Sequence, residues 1–357
     1  MTLPLTSKRQ PPEPVSYTGI PTYYVGPLLL NGKYTNGLIE KIPLATLEST
    51  LIPSTQRGLK AIKECRVYVD SEDRGMTRSP YLLFKNIGEA RMFCDYVAEN
   101  QDRLKQAGNS TTNYGKVKTI ETYLAGDTVH MRVNMFTGDA SGHNMVAKAS
   151  EKIVQFLIER DLGVLDYCIS GNTCTDKKVS IINNLLGRGR KIDAEVIISR
   201  EIVKEVLKTT PEKMMQVYIH KDLEGSIIAG SLGSANAHHA NLVSALYIAT
   251  GQDIANVVEG SQGMTRVRIT KDGSLYFGIT SPNLIIGTLG NGKEKGEQRK
   301  NLELLNCYGS IKDKPGYNTN KLAEIFGAVI LAGELSLTAA LTNQYELVKA
   351  HMTYERQ

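Results

Sequence analysis

Apolar positions change period repeatedly between residues 80 and 169. Residues 81–84 form a short apolar run that reads as a strand. Over 87–106, Ala90, Phe93, Tyr96 and Val97 recur at helical spacing. Residues 117–124 and 129–135 alternate in the strand manner, and Ala125, Gly126 and Asp127 make the turn between them. Over 142–160 the helical period returns, with Val146, Ala149, Ile153 and Leu157 inward, and 164–169 is again a strand. The order β-α-β-β-α-β predicts a ferredoxin-like unit over 80–169. The chain then enters SGNTCTDKK, so this unit is expected as an insertion in a larger mixed helix/sheet domain made of 21–79 and 170–357. The fold class is α+β.

The remaining pattern fills that larger domain. Residues 45–63 read as a helix beginning near Thr46, with Leu47, Leu51, Leu59 and Ile62 as its buried face and Pro53 kinking or restarting it. Then come a strand at 194–199, a helix around 201–208 and a long helix at 236–249. A hairpin joins 267–270 to 275–279 across Lys271, Asp272, Gly273 and Ser274. The last long helix covers about 320–342 and leads to a polar tail. Its apolar stretch contains Glu324 and Glu334, which favours a core helix over a membrane span. Residues 1–20 are Pro-rich and polar, as in an extended arm.

Composition narrows the function classes. A chain of 357 residues can bury a large core in two or three domains. The net charge of +5, from 42 Lys+Arg against 37 Asp+Glu, suits an anionic small molecule. Basic residues are dispersed without aromatic interleaving, so no nucleic-acid partner is expected. Cys65, Cys94, Cys168, Cys174 and Cys307 form no CxxC pair, which argues against a zinc site or a disulfide framework and for a reducing cytoplasm. The segment MTLPLTSKRQPPEP lacks the apolar core of a signal peptide.

Four segments carry candidate chemistry. In SGNTCTDKK, Asp176 precedes Lys177 and Lys178 beside an apolar run. Adjacent cations next to one carboxylate suit a site that holds anions and lowers the energy of a developing oxyanion, and the alternative is a solvated turn. GDASGHNM, 138–145, joins a strand to a helix. Its small residues allow close ligand approach and free helix N–H groups for a pyrophosphate, or else Asp139 or Ser141 caps the helix. GTLGNGK, 287–293, nearly fits the P-loop pattern, but Glu294 stands where a magnesium-binding hydroxyl is needed. A glycine-rich turn against a cofactor is the other reading. His238 and His239 in NAHHAN are adjacent, so they point about 100° apart on a helix. Packing or capping is favoured over metal binding, and no metal is expected.

Together with PLATLESTLIPSTQRG, GMTRSP, GQD, AGELSLTAAL and LVKAHM, these motifs resemble, in order, 3-hydroxy-3-methylglutaryl-coenzyme A (HMG-CoA) reductase. The resemblance runs from about Gly19 to Arg356 and is closer to the class I form than to class II, of a soluble prokaryotic type. It implies a large domain that holds HMG-CoA and an inserted small domain that holds NADP. It also implies reduction of HMG-CoA to mevalonate and coenzyme A by two hydride transfers from NADPH, and self-association as a dimer or dimer of dimers. By resemblance, Glu48, Lys177, Asp253 and His351 are catalytic. Arg78, Ser170, Asp176, Lys178, Lys221 and Asn241 would surround the HMG portion, with Ser54 and Arg57 near coenzyme A. Asp139, Ala140, Ser141, Gly142, Asn144 and Met145, with Gly287, Gly290 and Arg356, would contact the dinucleotide. Asp253 would join Glu48 and Lys177 in one network. Three departures stand out: SYTGIPTYYVGPL replaces an ENVIG-type start, Ser49 replaces a glycine, and Thr112-Asn113 replaces the Ser-Arg pair near the 2′-phosphate. Lys116 or Lys118 is the expected substitute for that arginine. The competing readings are a P-loop nucleotide hydrolase and a non-catalytic coenzyme A- or dinucleotide-binding homologue.

Overall fold

The computed structural model describes residues 14–231, 233–343 and 345–354. It is a mixed α+β fold, and most of its strands belong to one continuous hydrogen-bonded path. That path runs through Ser234–Ala235, Gly263–Ile269, Leu275–Leu284, Gly189–Ile198, Val67–Arg78, Thr128–Phe136, Tyr81–Leu83 and Asp166–Cys168.

The long strand Val67–Arg78 bridges two regions of this path. Its first part pairs antiparallel with Gly189–Ile198, and its last three residues pair with Thr128–Phe136. Beyond that junction, Lys116–Ala125 pairs with Thr128–Phe136, which pairs with Tyr81–Leu83, which pairs with Asp166–Cys168. The helices Ile87–Glu99, Gln101–Asn109 and His143–Ile158 belong to this part of the chain. Two apolar cores follow the division. One gathers Phe84, Phe93, Val133, Ile153 and Leu157, and the other gathers Leu59, Ile192, Phe277, Phe326 and Leu335.

Helix Tyr317–Leu341 is the axis of the second core. It is long and apolar enough to cross a membrane, yet 94% of its most apolar window is buried inside the protein. Helix Leu51–Ile62 lies against it so closely that a Cβ on Gly58 would come within 1.9 Å of the Ala332 carbonyl oxygen. Only glycine permits that approach.

Several elements differ from the sequence expectation. Residues 42–45 form a strand, and the helix begins only at Leu51. Leu47, expected inward, lies in the intervening turn and is 76% exposed. Pro53 falls in the first helical turn, where its missing N–H has no intrahelical acceptor to lose, so it causes no break. The single helix expected over 87–106 is divided at Asn100, whose side chain donates to the Tyr96 carbonyl at 2.9 Å. In place of a polar tail, Glu346–Tyr354 is a helix tethered by an ion pair between Arg57 and Glu346. The region before NAHHAN holds helix Pro211–Val217, the π-helix Tyr218–Gly225 and the short helix Ser226–Ala229. All five cysteines are free thiols.

Candidate active site

The SGNTCTDKK segment has no regular structure, and Asn172, Thr175 and Lys177 all adopt left-handed φ of +65°, +48° and +56°. Such a conformation costs a non-glycine residue about 1–3 kcal/mol, so surrounding contacts must impose it. Beneath the loop, Glu259 Oε1 accepts from the Lys177 backbone N–H at 3.1 Å. Arg188 then joins two carboxylates, at 2.6 Å to Glu259 Oε1 and 2.8 Å to Asp176 Oδ1. Asn256 Nδ2 adds a donor to Glu259 at 2.8 Å. Sequence reading did not find Arg188 or Glu259. Both side chains are fully buried, whereas composition treats such residues as surface groups.

This scaffold turns the Lys177 side chain to Asp253, Nζ to Oδ2 at 2.8 Å. Burial pushes the Asp253 carboxyl up, but the Lys177 ammonium and the Ala255 N–H outweigh it and hold it below the ordinary range. Asp176 likewise lies below its usual range, because Arg188 and His143 overcome its burial. His143 opens helix His143–Ile158 and sits 3.8 Å from Asp176. Burial, reinforced by Arg188, lowers its pKa to about 4, so the imidazole is neutral at pH 7. Arg78 donates to Ser170 Oγ at 3.4 Å, and Lys178 is exposed.

A cavity of about 510 Å³ opens beside Asp253, between residues 140–145 and 289–293. Ala140, Ser141, Gly142, Asn144, Met145 and Gly290 all line it. Two backbone segments meet at its base: Ala140 bridges Leu289, and a Cβ on Gly287 would stand 2.6 Å from the Ser141 nitrogen. Neither Asp139 nor Ser141 caps helix His143–Ile158, whose N-cap is Gly142 at φ +91°. The Asp139 carboxylate instead accepts from Gly316 N and Thr319 N, both at 2.9 Å, and so fastens the start of helix Tyr317–Leu341. Lys293 was absent from the sequence-based site. It is 4% exposed, lines the cavity and donates to Ser141 Oγ at 3.1 Å. GTLGNGK is therefore a turn packed against GDASGHNM, and the P-loop reading is not favoured. Thr112 Oγ1 accepts from Tyr114 N at 3.2 Å and Gly115 N at 3.3 Å, while Lys118 Nζ is engaged at 2.8 Å by the Asp73 carbonyl.

A second cavity, of about 540 Å³, is lined by Glu48, Ser54, Arg57, Lys221, Asn241 and His351 among others. Asn241 Nδ2 donates to Glu48 Oε2 at 2.8 Å. Ser54 and Arg57, on one face of their helix, both meet Ser336 Oγ at 3.0 Å. Lys221 stands on the π-helix, a feature frequent at functional sites. His351 is placed by helix Glu346–Tyr354, and its Nδ1 lies 3.1 Å from the Leu347 carbonyl oxygen. His239 is fully buried, and His238 faces this cavity. Among the described residues no cluster of three or more His, Cys, Asp or Glu is arranged to hold a metal. Arg356 lies outside the described residues.

The proposed residues thus fall into two groups, Lys177 with Asp253 and Glu48 with Asn241, Lys221 and His351. The expected network through Asp253 is absent within one chain: among the described residues Glu48 forms no hydrogen bond or ion pair with Lys177 or Asp253.

Comparison with known proteins places the chain in a family. A family model described as hydroxymethylglutaryl-coenzyme A reductase matches residues 13–356. A 3-hydroxy-3-methylglutaryl-coenzyme A reductase of Pyrococcus horikoshii is 43% identical over 334 residues, covering 93% of this chain and 80% of that protein. The protein of the same name from Methanocaldococcus jannaschii is 42% identical over 343 residues, covering 94% and 82%. Among solved structures, the class II enzyme of Streptococcus pneumoniae bound to NADPH superposes with a TM-score of 0.70 at 17% identity, covering 92% of this chain and 86% of that one. The chain belongs to the hydroxymethylglutaryl-coenzyme A reductase family.

Proposed function

We propose that the protein reduces HMG-CoA to mevalonate and free coenzyme A by two successive hydride transfers from NADPH, in the mevalonate route to isoprenoids. The observation that carries the mechanism is the 2.8 Å Lys177–Asp253 pair at the edge of the cavity built from GDASGHNM and GTLGNGK. That cavity suits a dinucleotide phosphate. Its base is bare backbone, two segments that Gly287 lets pack closely together, and Lys293 supplies a buried cation. Residues 140–145, Gly290 and Lys293 are the proposed holders, with Asp139 acting through its backbone. Bound there, NADPH supplies the hydride.

Lys177 stabilises the oxyanion that forms as the thioester carbonyl accepts hydride. Asp253 keeps the ammonium in place through a charge-assisted contact. His351 protonates the departing coenzyme A thiolate, a step suited to an imidazole. Glu48, oriented by Asn241, donates the proton at the aldehyde stage. Arg78 and Lys178 pair with the substrate carboxylate, Ser170 and Asp176 frame it, and Lys221 faces it from the second cavity. Ser54 and Arg57 lie toward coenzyme A.

The separation of the two groups supports a shared site. In a two-fold dimer, the Lys177–Asp253 group of one chain meets the Glu48–His351 group of the other. We further assign residues 80–169 as an inserted ferredoxin-like domain that carries the dinucleotide, on the strand order around Thr128–Phe136. Residues 21–79 and 170–357 form the HMG-CoA domain. The quoted motifs favour the class I form, and the five free thiols suit a cytoplasmic enzyme. The test is NADPH oxidation followed by absorbance with HMG-CoA present, and mevalonate identified as product. No oxidation, or a product other than mevalonate, overturns the reading.

A further inference from the structure

Asp222 is a buried ionisable group that the mechanism leaves unused. It is 0% exposed, and it stands on the π-helix next to Lys221. Its Oδ1 lies 3.2 Å from Lys221 Nζ, and its Oδ2 has no hydrogen-bond partner among the described residues. An isolated buried carboxylate is costly unless it is paired, and Lys221 is its only counter-charge at contact distance among the described residues.

The Lys221 ammonium has three donors. One meets Asp222, and the other two face the Asn236 carbonyl at 3.3 Å and the Ala237 carbonyl at 3.5 Å. All three acceptors lie on the protein side, although Lys221 lines the cavity with Glu48 and Asn241. An anion in the cavity must therefore compete with Asp222 for this ammonium.

A second buried carboxylate, Glu334, is held differently. It accepts from Ala237 N at 2.8 Å, His238 N at 2.6 Å and Thr265 Oγ1 at 2.9 Å. Burial works against its charge, but His239, His238 and these N–H groups hold it below the ordinary range. Asp222 has no such support. Burial pushes its carboxyl up to about 6, against the pull of Lys221 and with the help of Glu334. Of two carboxylates in one pocket, Asp222 takes the proton first. The other groups around it are Tyr218 on the same helix and, beyond Tyr218, Arg266 of strand Gly263–Ile269.

We propose that Asp222 is a positioning residue that controls how much of the Lys221 charge reaches the substrate carboxylate, so that protonation of Asp222 frees a donor for the anion and tightens HMG-CoA binding. This rests on the assignment of Lys221 to the substrate cavity. Binding of an anion beside Lys221 raises the proton affinity of Asp222. A one-unit rise corresponds to about a tenfold change in KM across the titration.

The experiment has two readouts. Protein labelled with 13C at lysine Cε is titrated by NMR, with the Lys221 signal assigned by its loss in Lys221→Arg. The Lys221 signal should shift with an inflection near pH 6 in the wild type and lose that inflection in Asp222→Asn. In parallel, KM for HMG-CoA should be roughly tenfold lower at pH 5 than at pH 7.5 in the wild type and nearly flat in Asp222→Asn, with kcat alike at each pH. A wild-type Lys221 signal without the inflection overturns the proposal, even if the variant does not fold. So does a pH-dependent KM that survives in Asp222→Asn. A normal NMR titration with a KM unmoved in both Lys221→Arg and Asp222→Asn overturns the placement of Lys221 at the substrate, and with it the effect on binding, while leaving the Asp222–Lys221 link in place.

Discussion

Arg188 Nη1 meets Glu259 Oε1 at 2.6 Å with both side chains fully buried, and this pair underlies the loop that presents Lys177. Burying two charges gives little net stability, whereas removing one partner strands the other. Arg188→Met should therefore cost about 3–5 kcal/mol, read as a lower denaturation midpoint. A midpoint near the wild-type value would mean that the pair does not support the loop.

Lys177→Ala should leave the fold and NADPH binding intact while turnover falls by about 10²–10³ or more, because one oxyanion donor is lost. Among the described residues only Asp253 pairs with its ammonium, so no buried partner is stranded. Steady-state kinetics with fluorescence titration of NADPH checks both halves. Near-normal turnover would remove Lys177 from the mechanism.

His351→Gln should slow thioester reduction far more than reduction of free mevaldehyde, since only the first reaction expels a thiolate. His351 lies at the cavity wall and, among the described residues, is hydrogen-bonded only within its own helix, so the substitution perturbs little else. Equal slowing of both reactions would contradict the leaving-group role.

His143 should give a measurable pH dependence of stability. Its folded-state pKa, about 4, is below the unfolded value of 6.5. Between those values the unfolded chain binds a proton that the folded chain does not, so stability falls as pH drops from 6.5 toward 4. The loss is on the order of 3 kcal/mol. Asp222 acts in the opposite sense over part of this window, because its pKa is raised. The comparison must therefore be between wild type and His143→Asn, and the variant's stability should fall less steeply over that window. Parallel curves would show that His143 is not held neutral.

Periodic elements were legible from the sequence because their cause is local. The face of Ala90, Phe93 and Val97 and that of Val146, Ala149, Ile153 and Leu157 are buried as the 3.6-residue spacing requires. Helix Glu346–Tyr354 was not legible, since a distant arginine, Arg57, tethers it. The π-helix that carries Lys221 and Asp222 has no period of its own to read. At the site, the Lys177–Asp253 contact was expected only through the resemblance that SGNTCTDKK and GQD help carry, as half of a network with Glu48. Arg188 escaped notice because it is a buried cation in a stretch with no periodic signal, and Lys293 was seen only as the end of a glycine-rich turn, not as a buried cation at the site.

The division of the site between two groups leads to a complementation test. Within one chain Lys177 meets Asp253 and Glu48 meets Asn241, and among the described residues no hydrogen bond or ion pair joins the two pairs. If a two-fold dimer unites them, each dimer has two equivalent sites, each drawing one group from each chain. Glu48→Gln and Lys177→Ala homodimers should both be nearly inactive. In a mixed dimer one site carries both substitutions and the other carries neither. Random exchange makes about half of the dimers mixed, each with one intact site, so activity should return to about a quarter of wild type. Unfolding and refolding the two variants together, then assaying at fixed total protein, provides the measurement. Recovery no greater than the sum of the separately refolded variants would place the complete site within one chain.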